Sequence, residues 1–206
     1  MNYKILKRFF DILFAFLLII FLSPLFLIIS ILIKISSKGS IIYIQKRIEK
    51  KNTSFSCFKF RTMHPQSKYL LKKILVKNKD FKNQFSETRK IVNDPRITRF
   101  GKFLRFSSLD ELPQIFNVLI GDMSFIGPRP IVKSEIKKYG KEFGKVFSIK
   151  PGISGLWQVS GRNNLSYDKR VELDINYSEN INFLLDIKIF IKTIVVILFP
   201  FGKGAL

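Results

Sequence analysis

An uncharged apolar run constrains this chain more than any other feature. No charged side chain occurs from Ile12 to Ile33, a stretch of 22 residues. At about 1.5 Å per residue, a helix of that length crosses a bilayer core of roughly 30 Å. A cleaved signal peptide is disfavoured, because the run is longer than the usual apolar region of a signal and no clear small-x-small cleavage site follows it. The run therefore predicts a membrane helix.

Ser23-Pro24 lies near the middle of this run. Proline removes a helix hydrogen bond and clashes with the preceding turn, so we expect a kink or break that leaves two arms of about half a bilayer each. Basic residues flank both ends of the run: Lys4, Lys7 and Arg8 before it, and Lys34, Lys38, Lys46 and Arg47 after it. Positive charge therefore selects neither end as cytoplasmic. Two structures stay open on these grounds, a re-entrant hairpin and a spanning helix with a tolerated kink.

Charge indicates what the chain binds. It carries 36 Lys and Arg against 15 Asp and Glu, a net charge of +21, which indicates nucleic acid, acidic lipid or a phosphorylated substrate. Its 206 residues, of which 47% are hydrophobic, suit one domain with its own core. Cys57 is the sole cysteine, which excludes an internal disulfide, and His64 is the sole histidine, which excludes a site built from several histidines.

Three further segments have a clear pattern. Residues 41–45 and 55–60 are β-prone runs separated by a polar stretch, which predicts a short hairpin. Residues 70–75 place leucine and isoleucine at helical spacing among lysines, which predicts a basic amphipathic helix lying on the core or on acidic headgroups. Residues 181–201 are apolar but interrupted by charges, and too short in their uncharged part to span, so we expect interfacial docking or core burial.

Two adjacent acids, Asp110 and Glu111, are the strongest candidates for chemistry. A carboxylate can hold a divalent cation or attack phosphorus. The alternative is a capping box, because Ser108 and Glu111 match its Ser-x-x-Glu pattern. Pro113 disfavours that alternative, since it would be the fifth helical residue, whereas a helix beginning nearer Asp110 would tolerate it. Adjacent acids on a helix point about 100° apart, so they would share one metal or divide the roles of nucleophile and metal ligand.

The segments around this pair predict its setting. Leu112, Phe116 and Leu119 form a stripe expected to be buried, and Gly121 is a candidate C-cap. Residues 127–130 read Gly-Pro-Arg-Pro, which restricts the backbone on both sides of Arg129; a tight turn with a solvated arginine and a phosphate-binding fork are both open.

A glycine-rich region follows at residues 151–163 and contains Trp157. Such loops can cradle phosphate, although the signal is weak when it stands alone. Core packing of Trp157 is favoured over stacking on a nucleobase, because its large apolar area dominates its energetics.

Together these segments resemble the bacterial sugar transferases, the monotopic polyprenyl-phosphate phosphoglycosyl transferases. The matching stretches are Lys7-Arg8-Phe9-Phe10-Asp11, Ser23-Pro24, Phe58-Lys59-Phe60-Arg61-Thr62-Met63, Ser108-Leu109-Asp110-Glu111-Leu112-Pro113-Gln114, Gly121-Asp122-Met123-Ser124-Phe125-Ile126-Gly127-Pro128-Arg129-Pro130, Pro151-Gly152-Ile153-Ser154-Gly155 and Glu172-Leu173-Asp174. Each is weak singly, but their order and spacing are specific. Residues 93–102 are similar to the hexose-phosphate transferases that start O-antigen or capsule chains.

The resemblance implies a helix-rich α/β (α+β) fold in two parts. Residues 1–40 would form a re-entrant membrane helix broken at Ser23 and Pro24. Residues 41–206 would form a small catalytic domain on the cytoplasmic face of the bacterial inner membrane, with a short β-hairpin, amphipathic interfacial helices and an apolar interfacial C-terminal segment.

It also implies a two-step transfer of a sugar 1-phosphate from a UDP-sugar to undecaprenyl phosphate, which releases UMP. Such an enzyme carries out the first membrane step of O-antigen, capsule, exopolysaccharide or glycoprotein glycan synthesis. Asp110 would be the nucleophile that carries the phosphosugar, and Glu111 would bind Mg²⁺ with it. The further site candidates by resemblance are Lys59, Arg129, Arg162, Arg170 and Asp174. Arg170 and Asp174 lie four residues apart, so a surface ion pair on a helix is the alternative for them.

The partners implied are the UDP-sugar, undecaprenyl phosphate and inner-membrane phospholipids, without nucleic acid; a homo-oligomer and the identity of the sugar are left open. The rival from another class is a membrane-tethered protein that binds nucleic acid or acidic lipid without catalysis. The net charge of +21 fits that rival, but it leaves the acids and residues 127–130 unexplained.

Overall fold

The computed structural model describes residues 3–48, 53–88, 91 and 93–199. Its helices are α1 (Tyr3–Ser36), α2 (Ser67–Lys77), α3 (Lys79–Thr88), α4 (Arg99–Phe106), α5 (Gln114–Ile120), α6 (Ile136–Tyr139), α7 (Phe143–Val146), α8 (Tyr167–Glu179) and α9 (Phe183–Leu198). Its strands are β1 (Ile42–Ile48), β2 (Ser54–Phe60), β3 (Ser124–Ile126) and β4 (Gly152–Ser154). The fold is a helix-rich α+β arrangement with a long apolar N-terminal helix and small sheets, as the sequence predicts.

Helix α1 runs without interruption through Pro24. The Ser23 hydroxyl donates a hydrogen bond of 2.8 Å to the carbonyl of Ile20, which is the group that Pro24 cannot reach because it lacks an N–H. A serine hydroxyl can thus replace part of the bond that proline removes, as happens in membrane helices. The chain stays helical at Pro24, so the helix is not interrupted there; a kink is compatible with this continuity, and the re-entrant hairpin is not confirmed.

Among the described residues, α1 is the one helix that is long and apolar enough to cross a membrane, by length and composition. One side of it packs against the rest of the chain. Near the N-terminal half, Ala15 lies in a cluster with Ile115 of α5. Near the C-terminal half, Ile29 and Ile33 lie in a second cluster with Phe60 and Leu104. Both halves of α1 therefore contact the globular part of the protein.

Hydrogen bonds reinforce this contact at both ends of α1. Arg8 donates through Nη1 to the carbonyl of Val118 at 2.6 Å, near the end of α5. Arg61, just after β2, donates through Nη2 to the carbonyl of Ser37 at 2.6 Å. Residues before and after the apolar run are thus attached to the same body.

The predicted hairpin is confirmed: β1 and β2 pair antiparallel, with Ile42 opposite Phe60. The predicted basic helix is also confirmed as α2. Its leucine and isoleucine residues are half-buried, whereas Val76 and the three lysines Lys72, Lys73 and Lys77 are exposed.

A second sheet joins β3 and β4 in parallel, with Ser124 opposite Gly152. A Cβ atom on Gly152 would lie 2.1 Å from the nitrogen of Gly127, so glycine is required for the backbones to approach this closely.

Helix α9 covers most of the predicted C-terminal apolar segment; residues 200 and 201 lie outside the described chain. Asp186, Ile189 and Val196 form its buried side. Asp186 accepts a hydrogen bond of 2.6 Å from Lys7 of α1 and one of 2.7 Å from the hydroxyl of Tyr177. Large apolar side chains of α9 remain exposed, among them Leu184 at 76% and Leu198 at 65%. Core burial and an exposed apolar face thus coexist on this helix.

Candidate active site

The two adjacent acids lie on a 3₁₀ turn, Leu109–Glu111, rather than inside a capped helix. Ser108 precedes the turn in the left-handed region, with φ of 59°, and its side chain makes no capping hydrogen bond. A capping box needs an extended backbone at that position, so the capping alternative is wrong. Helix α5 begins at Gln114, directly after Pro113, where the absent N–H of proline costs nothing.

Helix α5 follows this turn directly and packs against the core, which fixes the position of the turn. Its buried apolar residues are Ile115 and Val118, whereas Phe116, expected in the buried stripe, is 39% exposed. Leu112 and Leu119, the other two residues of the predicted stripe, are partly buried and pack against the same cluster, so the stripe is confirmed except at Phe116. Gly121 adopts φ of 100° and donates its N–H to the carbonyls of Asn117 and Val118, which confirms it as the C-cap.

Lys59, at the end of β2, reaches the acids directly. Its Nζ lies 2.5 Å from Oε1 of Glu111, and the two side chains are 16% and 26% exposed. Strand β2 and the turn thus bring together two residues that are 52 positions apart in the sequence. A pocket forms around this pair, lined also by Arg47, Gln114 and Arg129.

The two acids differ in their electrostatic environment. Burial, followed by the charge of Glu111, raises the pKa of Asp110 to about 6 against the opposing charges of Lys59 and Arg105. Burial also disfavours the charged form of Glu111, but Lys59 and Arg129 outweigh it and hold the pKa of that carboxyl below its ordinary value. Glu111 is therefore the firmly ionised partner, and Asp110 is the acid that lies closer to its point of protonation.

The backbone on both sides of Arg129 is fixed by hydrogen bonds. The carbonyl of Pro128 accepts from the N–H of Gly152 at 2.8 Å. The carbonyl of Pro130 accepts from Nη1 of Arg47 at 3.0 Å, and Arg47 itself is only 8% exposed. Arg129 therefore stands in a rigid segment at the pocket, which disfavours the alternative of a solvated arginine on a loose turn.

Two arginines lie over one aromatic ring beside the pocket. The guanidinium carbon of Arg129 is 5.6 Å from the ring centre of Trp157, and that of Arg170 is 4.9 Å from it. Trp157 is 6% exposed, so the favoured prediction of core packing is confirmed. The ring also supports the two cations, since an aromatic face attracts a guanidinium.

Arg162 also lies near the acids. Burial lowers its pKa, and the charge of Glu111 opposes that change, which indicates that the two groups interact. Its φ is 51°, so it occupies a left-handed position directly after Gly161. A left-handed backbone is uncommon for a residue other than glycine, and here it lies at the start of the short 3₁₀ turn Arg162–Asn164.

Asp174 lies beneath the arginines rather than among the pocket-lining residues. It is fully buried, and its Oδ2 accepts a hydrogen bond of 2.8 Å from the hydroxyl of Tyr139. The surface ion-pair alternative is therefore wrong for Asp174, because no part of this carboxyl reaches solvent.

The glycine-rich stretch has a structural explanation. Gly152 begins β4, and its N–H is already bonded to the carbonyl of Pro128. Gly155 would place a Cβ atom 2.4 Å from the carbonyl oxygen of Gly127. These glycines permit close strand packing, so a phosphate cradle is not needed to account for them.

Sequence reasoning missed Arg47 and Arg105. The sequence places Arg47 in the basic flank of the membrane segment, but Arg47 lies on β1, where its side chain is buried and lines the pocket. Arg105 donates through Nε to the hydroxyl of Thr62 at 2.9 Å, and its charge acts on Asp110. Arg105 lies three residues before the acid motif that starts at Ser108, and this proximity was a signal for it, whereas no local sequence pattern pointed to Arg47.

A divalent cation at this site would have at most two carboxylate ligands from the described part of the chain, Asp110 and Glu111. Among the described residues, no cluster of three or more His, Cys, Asp or Glu side chains could hold a metal ion. Mg²⁺ commonly binds through one or two carboxylates, together with substrate phosphates and water. Asp110 and Glu111 fit that pattern, because burial and the charge of Glu111 raise the pKa of Asp110, and a bound cation would offset both effects.

Known proteins are similar to this chain along nearly its whole length. The family model described as bacterial sugar transferase matches residues 2–200. The chain belongs to the bacterial sugar transferase family. An exopolysaccharide production protein, ExoY, from Sinorhizobium fredii is 44% identical over 188 residues, which cover 91% of this transferase and 83% of the relative.

Other relatives of this transferase are longer. An undecaprenyl-phosphate galactose phosphotransferase from Salmonella typhimurium is 43% identical over 95% of the transferase and 41% of the relative. A UDP-N-acetylgalactosamine-undecaprenyl-phosphate N-acetylgalactosaminephosphotransferase from Aeromonas hydrophila is 37% identical over 97% of the transferase and 45% of the relative. The transferase therefore spans less than half of the length of these two proteins. The family does not favour the rival interpretation of a binding protein without catalysis.

Proposed function

We propose that this transferase moves a sugar 1-phosphate from a UDP-sugar to undecaprenyl phosphate and releases UMP. The observation that carries the proposal is the Asp110–Glu111 pair, held on a rigid turn and faced by Lys59, Arg129 and Arg162. Such a site combines a carboxylate with the cations that a diphosphate requires. The names of the relatives supply the two substrates, since they act on undecaprenyl phosphate and UDP-sugars.

In the first step, a carboxylate oxygen of Asp110 attacks the β-phosphorus of the UDP-sugar. The bond from that phosphorus to the oxygen bridging the two phosphates breaks, and UMP leaves with the electron pair. In the second step, a phosphate oxygen of undecaprenyl phosphate attacks the phosphosugar on Asp110. The bond to Asp110 breaks, the carboxylate is restored, and the product is an undecaprenyl-diphosphate sugar.

The surrounding charges have separate tasks in this scheme. Arg129 and Arg162 neutralise oxygens of the diphosphate, and the planar fork of arginine suits two oxygens at once. Lys59 holds Glu111 ionised. Mg²⁺, bound by Asp110 and Glu111, would offset the charge of the leaving UMP.

The decisive experiment is a screen for UMP release. Purified protein in detergent, with Mg²⁺ and undecaprenyl phosphate, would be incubated with UDP-galactose, UDP-glucose and their N-acetylated forms. We expect UMP from at least one donor, and loss of UMP release when the metal is chelated. Release of UDP instead of UMP, or no nucleotide from any donor, would contradict the proposal.

Mg²⁺ binding is expected to weaken by about tenfold per pH unit below pH 6. The pKa of Asp110 is raised to about 6, so a proton occupies this carboxyl below that pH and competes with the metal. Titration calorimetry with MgCl₂ between pH 5 and pH 7.5 would measure the slope. Asp110→Asn is the matched control, because it should bind weakly at every pH; a flat profile in the unaltered protein would contradict the prediction.

We further propose that residues 1–40 form a re-entrant segment and that residues 41–206 lie on the cytoplasmic face of the inner membrane. Support comes from the bonds of Arg8 and Ser37 to the same globular body, at opposite ends of α1. If α1 crossed the bilayer perpendicularly, the globular body bonded to both of its ends would have to extend through the bilayer core of roughly 30 Å. The exposed apolar side chains of α1 and α9 would then face lipid.

Cysteine labelling tests this topology. We expect Lys4→Cys and Lys38→Cys to react with a membrane-impermeant maleimide from the cytoplasmic side alone, in inverted vesicles but not in intact spheroplasts. Native Cys57 is fully buried and provides a low background. Phe21→Cys, at a site that is 79% exposed in the protein, should be protected by lipid. Labelling of positions 4 and 38 from opposite sides would rule out the re-entrant arrangement.

A further inference from the structure

Gln158 brings an unpaired hydrogen-bond acceptor to the pocket around Lys59 and Glu111. It lies on the 3₁₀ turn Trp157–Val159 and is one of the residues that line this pocket. Its side-chain oxygen Oε1 is buried and has no hydrogen-bond partner among the described residues. A buried acceptor without a partner costs stability, and such atoms are rare in folded proteins. This oxygen therefore calls for a partner that the protein itself does not supply.

The orientation of the Gln158 amide is fixed by its other end. Nε2 donates a hydrogen bond of 3.1 Å to the carbonyl oxygen of Ile153, which also lines the pocket. If the amide were rotated by half a turn, Oε1 would face that carbonyl, and the two acceptors would repel each other. A Cβ atom on Gly155 would lie 3.1 Å from Oε1, so glycine keeps a neighbouring side chain away from this oxygen. The oxygen is thus the free end of a fixed amide.

The cations of the pocket suit phosphate, whereas this oxygen does not. Arg47, Lys59 and Arg129 line the pocket with N–H donors, and Nε of Arg47 also lacks a partner in the described part of the chain. Phosphate oxygens accept hydrogen bonds, so they match these donors and would be repelled by Oε1 of Gln158. The pocket thus presents donors for a diphosphate together with an acceptor that a diphosphate cannot satisfy.

Of the two proposed substrates, only the UDP-sugar carries alcohol hydroxyl groups. Its ribose and its sugar each supply several, one ring on either side of the diphosphate. Undecaprenyl phosphate is a hydrocarbon chain attached to a phosphate and supplies none. A hydroxyl group donates one hydrogen bond, which is what Oε1 of Gln158 lacks.

We propose that Oε1 of Gln158 accepts a hydrogen bond from a hydroxyl group of the UDP-sugar, next to the phosphates that Arg129 contacts. This inference rests on the proposed function and deepens it, because it names a residue that recognises the hydroxylated part of the donor. Loss of either partner leaves the other unpaired in the pocket. A site of this kind discriminates strongly against an analogue that lacks the hydroxyl.

Donor analogues test the inference in the unaltered protein. The series contains the UDP-sugar that releases UMP, forms of it that lack one ribose hydroxyl, and forms that lack one hydroxyl of the sugar. We expect at least one analogue to lose about tenfold in kcat/KM, because it leaves Oε1 unpaired. A loss of less than about twofold with every analogue would overturn the inference.

A cycle between protein and ligand identifies Gln158 as the acceptor. Gln158→Met keeps the length of the side chain and removes both polar ends of the amide. It is expected to lower kcat/KM about tenfold more for the intact donor than for the analogue that lacks the contacted hydroxyl, because loss of the bond to Ile153 is common to both. A ribose analogue with this behaviour assigns the contact to the nucleoside, and a sugar analogue assigns it to the sugar. Equal losses with all donors, or no loss with any, would overturn the inference.

Gln66→Met is the matched control, because it makes the same chemical change at an exposed position. Gln66 precedes α2, its side chain makes no capping hydrogen bond, and it is not among the residues that line the pocket. Its kcat/KM should stay within about twofold of the unaltered protein for every donor. If melting temperatures show that Gln158→Met does not fold, the analogue series in the unaltered protein decides alone.

Failure of the inference differs from failure of the proposed function. If the unaltered protein releases no UMP from any UDP-sugar, the proposed function is wrong. If it releases UMP but Gln158→Met lowers kcat/KM equally for all donors, the function stands and the contact from Gln158 does not.

Discussion

Asp110→Asn is expected to abolish the covalent phosphosugar adduct and to lower UMP release by at least about 1,000-fold, as removal of a nucleophile does in other enzymes. The amide is a poor nucleophile, and it also removes one of the two carboxylates available to a cation. The change nearly preserves shape, so the turn Leu109–Glu111 and the Lys59–Glu111 contact should persist. Intact-protein mass spectrometry after incubation with UDP-sugar and Mg²⁺, without acceptor, measures the adduct.

The matched control is Asp168→Asn, which makes the same chemical change at an exposed position in the first turn of α8. It should retain activity within about twofold, as surface substitutions usually do. A full yield of adduct on the Asp110→Asn protein would refute Asp110 as the nucleophile. Glu111→Gln distinguishes the roles further, because it should weaken metal dependence and yet leave the site of attachment at position 110.

The local elements could be predicted because their signals are local. The hairpin of β1 and β2, the basic helix α2 and the cap at Gly121 each follow from a pattern within about ten residues. The length of α1 also follows from composition. Its continuity through Pro24 does not, because it depends on the hydroxyl of Ser23 reaching the Ile20 carbonyl, which is a choice of rotamer that a pattern does not reveal.

Lys59, Glu111 and Arg129, which the sequence singles out, line one pocket, but the sequence does not indicate how the surrounding residues are buried. Residues 108–111 match the sequence pattern of a capping box, but Ser108 has a left-handed backbone and its side chain makes no capping hydrogen bond. The burial of Asp174 depends on α6 and α8 packing together, so its spacing from Arg170 carried no information about solvent. Arg47 was assigned to the membrane flank because its contact with Pro130 joins positions 83 residues apart. Long-range packing decided all three cases.

Arg129→Lys should lower kcat/KM by about 100-fold, although the charge is kept. Lysine presents a point charge, whereas the guanidinium of Arg129 has a planar fork and lies 5.6 Å from the centre of the Trp157 ring. The fork can donate to two phosphate oxygens at once, whereas lysine cannot do so in the same geometry. Because the segment between Pro128 and Pro130 is rigid, the main chain cannot move to let a lysine contact the second oxygen. Both kcat and KM should therefore suffer, because a diphosphate is held in the ground state and gains charge at the leaving oxygen in the transition state.

Arg99→Lys is the control for this change, because Arg99 is exposed at the start of α4 and is not among the residues that line the pocket. Its kcat/KM should stay within about twofold of the unaltered protein. Steady-state UMP release over a range of UDP-sugar concentrations gives both constants. If Arg129→Lys proves as active as Arg99→Lys, charge alone suffices at position 129, and the fork geometry does not contribute to binding the donor.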